Sequence, residues 1–185
     1  RVLFRSARGL LIAGSVVFGR KDWGAISNYP PHDLRRHESA LWAFGDESVN
    51  VSNRLQASDF DSLSLPDAGW YVIRSDDNYM VIQAGENGSE GWGTHAHNDI
   101  LSFELLVGQR AFIIDPGSYV YTGNYRARNM YRGIAAHNTV QIDRHETNRI
   151  PKKDMFRMSN DASVTIHEWD SDDCRTWFDA EYVSP

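Results

Sequence analysis

A mainly β protein, an antiparallel β-sandwich preceded by two α-helices, is the fold this sequence predicts, and three observations carry the prediction. Apolar residues recur at three- and four-residue steps only before about Leu55. Beyond that point come short apolar runs punctuated by Gly, Asn and Asp. Helical patterning does not alternate with those runs, as it would in a parallel sheet.

Taken in order, the first part of the chain has Leu10, Leu11, Val16 and Val17 on one side of a helix within residues 2–55, and Ala40, Leu41 and Phe44 following Leu34 and His37 on a second. Tyr29-Pro30-Pro31 forces an extended break between them, and His32-Asp33 opens the second helix. Ser58 to Pro66 reads as a Ser- and Asp-rich linker, so the expected division is a helical segment, residues 1–57, and a sandwich domain, residues 58–185. Trp70 to Arg74 and Tyr79 to Ala84 form a hairpin through Ser75-Asp76-Asp77-Asn78. Ser102 to Val107 and Arg110 to Asp115 form another through Gly108-Gln109, where a leading glycine favours a type II′ turn. His137 to Asp143, Ser163 to Trp169 and Arg175 to Val183 complete the expected strands. No internal repeat or low-complexity tract is present.

With 185 residues, 41% of them hydrophobic, the chain can bury one ordinary core. Its longest apolar candidate, Leu10 to Phe18, falls short of the roughly 18 residues a spanning helix needs, so no membrane insertion is expected. Nineteen basic against 25 acidic residues give a net charge of -6. A polyanion finds no general attraction here, which speaks against a nucleic-acid partner and requires any anionic ligand to be met locally. A single cysteine, Cys174, excludes an internal disulfide and a thiolate zinc cluster. Starting at Arg1 and stopping just after a strand-like run, the chain reads as an internal piece of a longer protein whose sandwich is incomplete.

The chemistry concentrates in Gly91-Trp92-Gly93-Thr94-His95-Ala96-His97-Asn98-Asp99, then Asp115-Pro116-Gly117, then His137-Asn138-Thr139. In extended backbone His95 and His97 would leave the same face. If Val107 faces Arg110, counting outward sets Asp115 opposite Ser102, within reach of the histidines, and His137 supplies a third imidazole. Nitrogen and oxygen donors of this kind suit Zn²⁺, while a polar network across the sheet would use the same residues, and spacing leaves both open. Asp99 is either an acceptor that orients a histidine or a turn-stabilising residue. His32, His37, His145 and His167 read as surface or hydrogen-bonding residues.

Cupins share the HxH pair, but Glu104 lies too far beyond His97 and the expected glycine-rich second motif is missing. The chain resembles more fully the heparinase II/III-like polysaccharide lyases, including the oligoalginate lyases, in Gly93 to Asp99, Leu101-Ser102-Phe103, Asp115 to Tyr119, Arg128, Arg132 and Ala136 to Val140. Four separated blocks in the right order carry the resemblance from about Gly69 to Asp143. It implies that the helical segment is the end of an α/α toroid and that the parent protein cleaves an acidic polysaccharide by β-elimination at 4-linked uronic acids. It implies His95 as a catalytic histidine, and His97, Asp115 and His137 as ligands of a zinc ion more structural than catalytic. Tyr121 is the expected catalytic partner of His95 among several crowded tyrosines, and Tyr119, Arg128 and Arg132 are expected to bind substrate. A periplasmic or secreted setting follows from the same resemblance. The alternatives are a non-catalytic module that binds acidic glycans and a cupin-like metalloenzyme.

Overall fold

The computed structural model describes residues 17–18, 61–75, 78–108, 110–152, 154–172 and 174–185. The chain divides into two units, Arg1–Phe60 and Asp61–Pro185, and the second carries everything below. Of the two helices expected within residues 2–55, only Val17 and Phe18 are among the described residues, and both are helical.

Five strands form one antiparallel sheet in chain order: β1 (Leu63–Leu65), β2 (Trp70–Ser75), β3 (Asn78–Gln83), β4 (Phe103–Val107) and β5 (Arg110–Ile113). A second sheet is the hairpin β6 (Ser163–Ser171) and β7 (Thr176–Val183). Alternation explains how they meet. Tyr71 and Ile73 of β2, Met80 and Ile82 of β3 and Phe103 of β4 pack against Val164, Ile166, Trp169 and Phe178 of the hairpin. Tyr71, 4% exposed, is the centre, with its ring 5.3 Å from Trp169 and 4.7 Å from Phe178. Val164 and Ile166 are even-numbered and Trp169 is odd. A register shift between Ile166 and Glu168 supplies the extra residue that returns Trp169 to the core face.

The hairpins close as the sequence predicts, with Ser75 opposite Asn78 and Val107 opposite Arg110. Three details differ. The stretch expected to be a linker contains β1, which pairs Leu63 with Val72. His137 to Asp143 is irregular rather than a strand, and Val140 and Ile142 are 65% and 63% exposed, so no second layer rewards the alternation. The outward count from Val107 also fails: a bulge between Leu105 and Leu106 sets Leu105 against Ile113, and β5 ends before Asp115.

The loops joining β3 to β4 and β5 to β6 pack without a strand ladder, so side chains take the backbone's partners. Asn98 is completely buried, and its Oδ1 accepts from the backbone and side-chain N–H groups of Asn148, both at 3.1 Å. Its Nδ2 donates to Glu146 at 2.6 Å and to the Asn148 carbonyl at 2.8 Å. Asn138 donates to the carbonyls of Phe103 and Ile114, tying its loop to the ends of β4 and β5. The α-helix α1 (Tyr125–Tyr131), between β5 and β6, is capped by the Asn124 side chain, which accepts from the Ala127 N–H at 3.1 Å.

Candidate active site

His95 stands on a two-stranded ribbon. Thr94 bridges Arg157, the His95 N–H donates to the Phe156 carbonyl at 2.7 Å, and the Met158 N–H donates to the Gly93 carbonyl at 2.9 Å. Gly93 permits the approach: its φ is +64°, and a Cβ there would lie 2.1 Å from the Met158 oxygen. The expectation that His95 and His97 share the face of a strand is therefore corrected. His95 has a left-handed backbone, φ +56°, which costs a non-glycine residue of order 1 kcal/mol and ends the period-two alternation. The imidazole is exposed to solvent, with its ring 5.4 Å from Phe156 and 6.2 Å from Tyr121.

His97 turns inward. Its Nε2 accepts a 3.0 Å hydrogen bond from Arg128 Nη1, with the Ser118 hydroxyl at 3.3 Å, so the ring proton is on Nδ1. Burial, together with nearby His137 and Arg128, lowers its pKa to about 4. The His137 ring lies 5.1 Å away, and its Nδ1 donates to Asp115 at 2.5 Å. Burial pushes the Asp115 carboxyl up, but the bonds from His137 and from the Gly117 N–H outweigh it and hold the pKa below the usual value. Asp99 is pushed up to about 6, chiefly by burial, with His137 opposing. His137 Nε2 is buried and has no hydrogen-bond partner, a cost of about 1–3 kcal/mol if nothing answers it.

The three expected zinc ligands are thus neighbours: His137 is hydrogen-bonded to Asp115 and in ring contact with His97, whose Nε2 is taken by Arg128. Among the described residues, no three His, Cys, Asp or Glu side chains are grouped so as to hold a metal ion. Tyr121 lies beside His95, and the Arg128 guanidinium is 5.2 Å from the Tyr121 ring centre, so one residue touches both Tyr121 and the part-buried His97. Tyr119 is 74% exposed and stacks on Tyr131 at 4.8 Å, away from any contact with His95. Arg128 and Arg132, expected to bind substrate, are buried, at 1% and 0% exposed. Arg128 Nε donates to the Met155 carbonyl, and Arg132 donates to Asn129 and to the carbonyls of Arg157 and Asp154.

A cavity of about 1160 Å³ adjoins these residues, lined by His95, His97 and Asp99 together with Asp67, Glu86 and Glu90. Among the described residues, no lysine or arginine lines it. Sequence reasoning missed the Phe156–Met158 half of the ribbon, because three residues without a turn signal or an apolar period leave nothing to read. The Asn98–Glu146–Asn148 cluster was equally silent.

The described residues thus form antiparallel sheets with an exposed, left-handed His95 near a hydrogen-bonded Asp115–His137 pair and an Arg128–His97 pair. The chain belongs to the heparinase II/III-like C-terminal family, whose model matches residues 57–181. A heparin-sulfate lyase of Pedobacter heparinus is 37% identical over 95 residues, covering 48% of this chain and 14% of that protein. The solved heparan sulfate lyase HepC from Pedobacter heparinus shares the fold with a TM-score of 0.56 and 22% identity, over 84% of this chain and 23% of that one. A solved heparinase III gene product does so with a TM-score of 0.55 and 21% identity, over 82% and 23%. The chain spans less than a quarter of each relative's length.

Proposed function

We propose that this chain is the sandwich portion of a polysaccharide lyase that cleaves an acidic polysaccharide at 4-linked uronic acids, with His95 and Tyr121 at the reacting sugar. The observation that carries the reading is the pairing of these two residues: a solvent-facing imidazole on a left-handed backbone, with a phenol beside it. The family relationship and the heparin- and heparan-sulfate-lyase relatives support the same reaction class. In the elimination, a base takes the C5 proton beside the carboxylate. The C–H electron pair becomes the C4–C5 double bond, the C4–O bond breaks, and the departing oxygen collects a proton. An imidazole and a phenol in contact supply one proton acceptor and one donor. Arg128, touching Tyr121 and His97 alike, positions both.

For zinc, the donor set fits in kind: two imidazoles, a carboxylate and an orphaned buried nitrogen on His137 that a cation would satisfy. His97, Asp115 and His137 would hold it, and Arg128 would have to release His97 for all three to do so. The ion would supply a cross-link among three loop segments. The test is ultraviolet absorbance of unsaturated uronate when the intact protein is given heparan-type chains or alginate, with elemental analysis of protein purified without added metal. Unsaturated product from a uronate chain is the expected result, and no product from any of them overturns the reading. Zinc near one equivalent that His97→Ala abolishes is expected, and equal metal in both removes His97 from the ligand set.

A further inference from the structure

Resting on that reading, we infer that Arg157, seated on Trp92, is an anion-binding residue that engages a carboxylate or sulfo group on a sugar flanking the one that reacts. The acidic wall needs such a cation. Among the described residues, the cavity beside His95 presents Asp67, Glu86 and Glu90 and no lysine or arginine, so a polyanionic chain meets repulsion there. Arg128 and Arg132 are buried and bonded to carbonyls, His97 and Asn129, so neither offers its guanidinium outward. Arg149 is held by Asp161 through two bonds of 3.0 and 2.7 Å. Arg157 is the cation that the ribbon fixes next to His95.

Its backbone is fully engaged: the Arg157 N–H donates to Asp154 at 3.0 Å, its carbonyl accepts from Arg132, and it bridges Thr94. The side chain is exposed and has no carboxylate partner among the described residues. The guanidinium carbon lies 5.9 Å from the ring centre of Trp92, itself 61% exposed. An indole face orients the planar guanidinium and leaves its edge donors for an oxyanion, the geometry that favours Arg over Lys. His95 contacts Phe156, and the adjacent Thr94–Arg157 bridge sets Arg157 one position further along the ribbon, where Trp92 meets it. A glycan following the ribbon therefore meets the histidine with one sugar and the guanidinium with a neighbour. Arg157 is in this sense a specificity residue, and its loss should act on binding rather than on the elimination itself.

The experiment measures Kd and the KM-against-kcat split for the intact protein and its Arg157→Gln, Arg157→Lys and Trp92→Ala variants. The ligands are heparan sulfate, the same chain desulfated, and the same chain with its carboxyl groups reduced. Arg157→Gln should weaken binding of the native chain about tenfold, the worth of one charge-assisted contact, and raise KM with kcat held within about twofold. Arg157→Lys should fall between, since it keeps the charge and loses the fork. A penalty that vanishes on the desulfated chain identifies a sulfo group, and one that vanishes on the reduced chain identifies a carboxylate. Equal Kd for wild type and Arg157→Gln on all three chains, or an undiminished kcat/KM, overturns the inference. Wild-type binding that depends on Arg157 without any unsaturated product would leave it standing while refuting the lyase reading.

Discussion

The strand-built core and the loop-built wall of this domain are held by different physics. Between β2, β3 and the β6–β7 hairpin, Tyr71 and Ile82 are enclosed by aromatic and aliphatic side chains, and stability comes from apolar area removed from water. In the loops 84–102 and 114–160 the largest fully buried side chains include Arg128, Arg132, Asn98 and Thr147. There the backbone has no ladder, and polar side chains satisfy it one group at a time. The core tolerates changes of shape that preserve volume, whereas the wall tolerates little, because each lost side chain strands several buried donors. A site that must expose His95 two residues from the inward-facing His97 requires the second kind of construction.

Paired substitutions would break or sharpen that contrast. Tyr71→Ala should cost about 3–5 kcal/mol in urea unfolding, as for other large buried rings. Asn98→Ala should cost about 2–3 kcal/mol by leaving the Asn148 N–H groups without an acceptor, and Asn98→Leu, of similar size, should fare no better. An Asn98→Leu protein as stable as wild type would show that the wall is held by packing after all.

A smaller effect is pH dependence in chelator-treated protein. His97 has its pKa lowered to about 4, so its contribution is present above the unfolded value of 6.5 and is lost as pH falls toward 4. Asp99 is raised to about 6, so its contribution is present below the unfolded value of 3.8 and is lost as pH rises toward 6. Between these limits the two oppose, and wild-type stability should change little. Asp99→Asn should make stability rise with pH from about 4 to 6.5. His97→Gln should make it fall. A flat profile in both variants would contradict the burial assigned to these groups.

Hairpins were legible in the sequence because Ser75–Asn78 and Gly108 announce their turns, and alternation then sets the faces. The bulges were not, since Phe112 and His167 look like any other strand residue and only the packed partner reveals the extra one. Asp115, His137 and His97 were legible as a group through their motifs, although the register argument that joined them was off by the bulge. His95's left-handed backbone had no signal, because nothing in Thr94-His95-Ala96 demands positive φ. The burial of Arg128 and Arg132 could not be read from a stretch that looks like a solvated helix face. Long-range pairing with Phe156–Met158 and Asp154 creates both features, and single-sequence periodicity does not reach that far.

The separation of two histidines, His95 for chemistry and His97 for architecture, is the central claim, and one side-by-side measurement tests it most directly. In the intact protein, the rate of unsaturated-uronate formation and the melting temperature are recorded for His95→Ala and His97→Ala. His95→Ala should lower the rate at least about 100-fold, the usual contribution of a positioned proton-transfer group, and leave melting unchanged. His97→Ala should lower melting by several degrees, because Arg128 becomes a buried cation without its acceptor, and the rate should fall only as the fold is lost. Wild-type turnover in His95→Ala, or a loss of stability there equal to that of His97→Ala, would contradict the account.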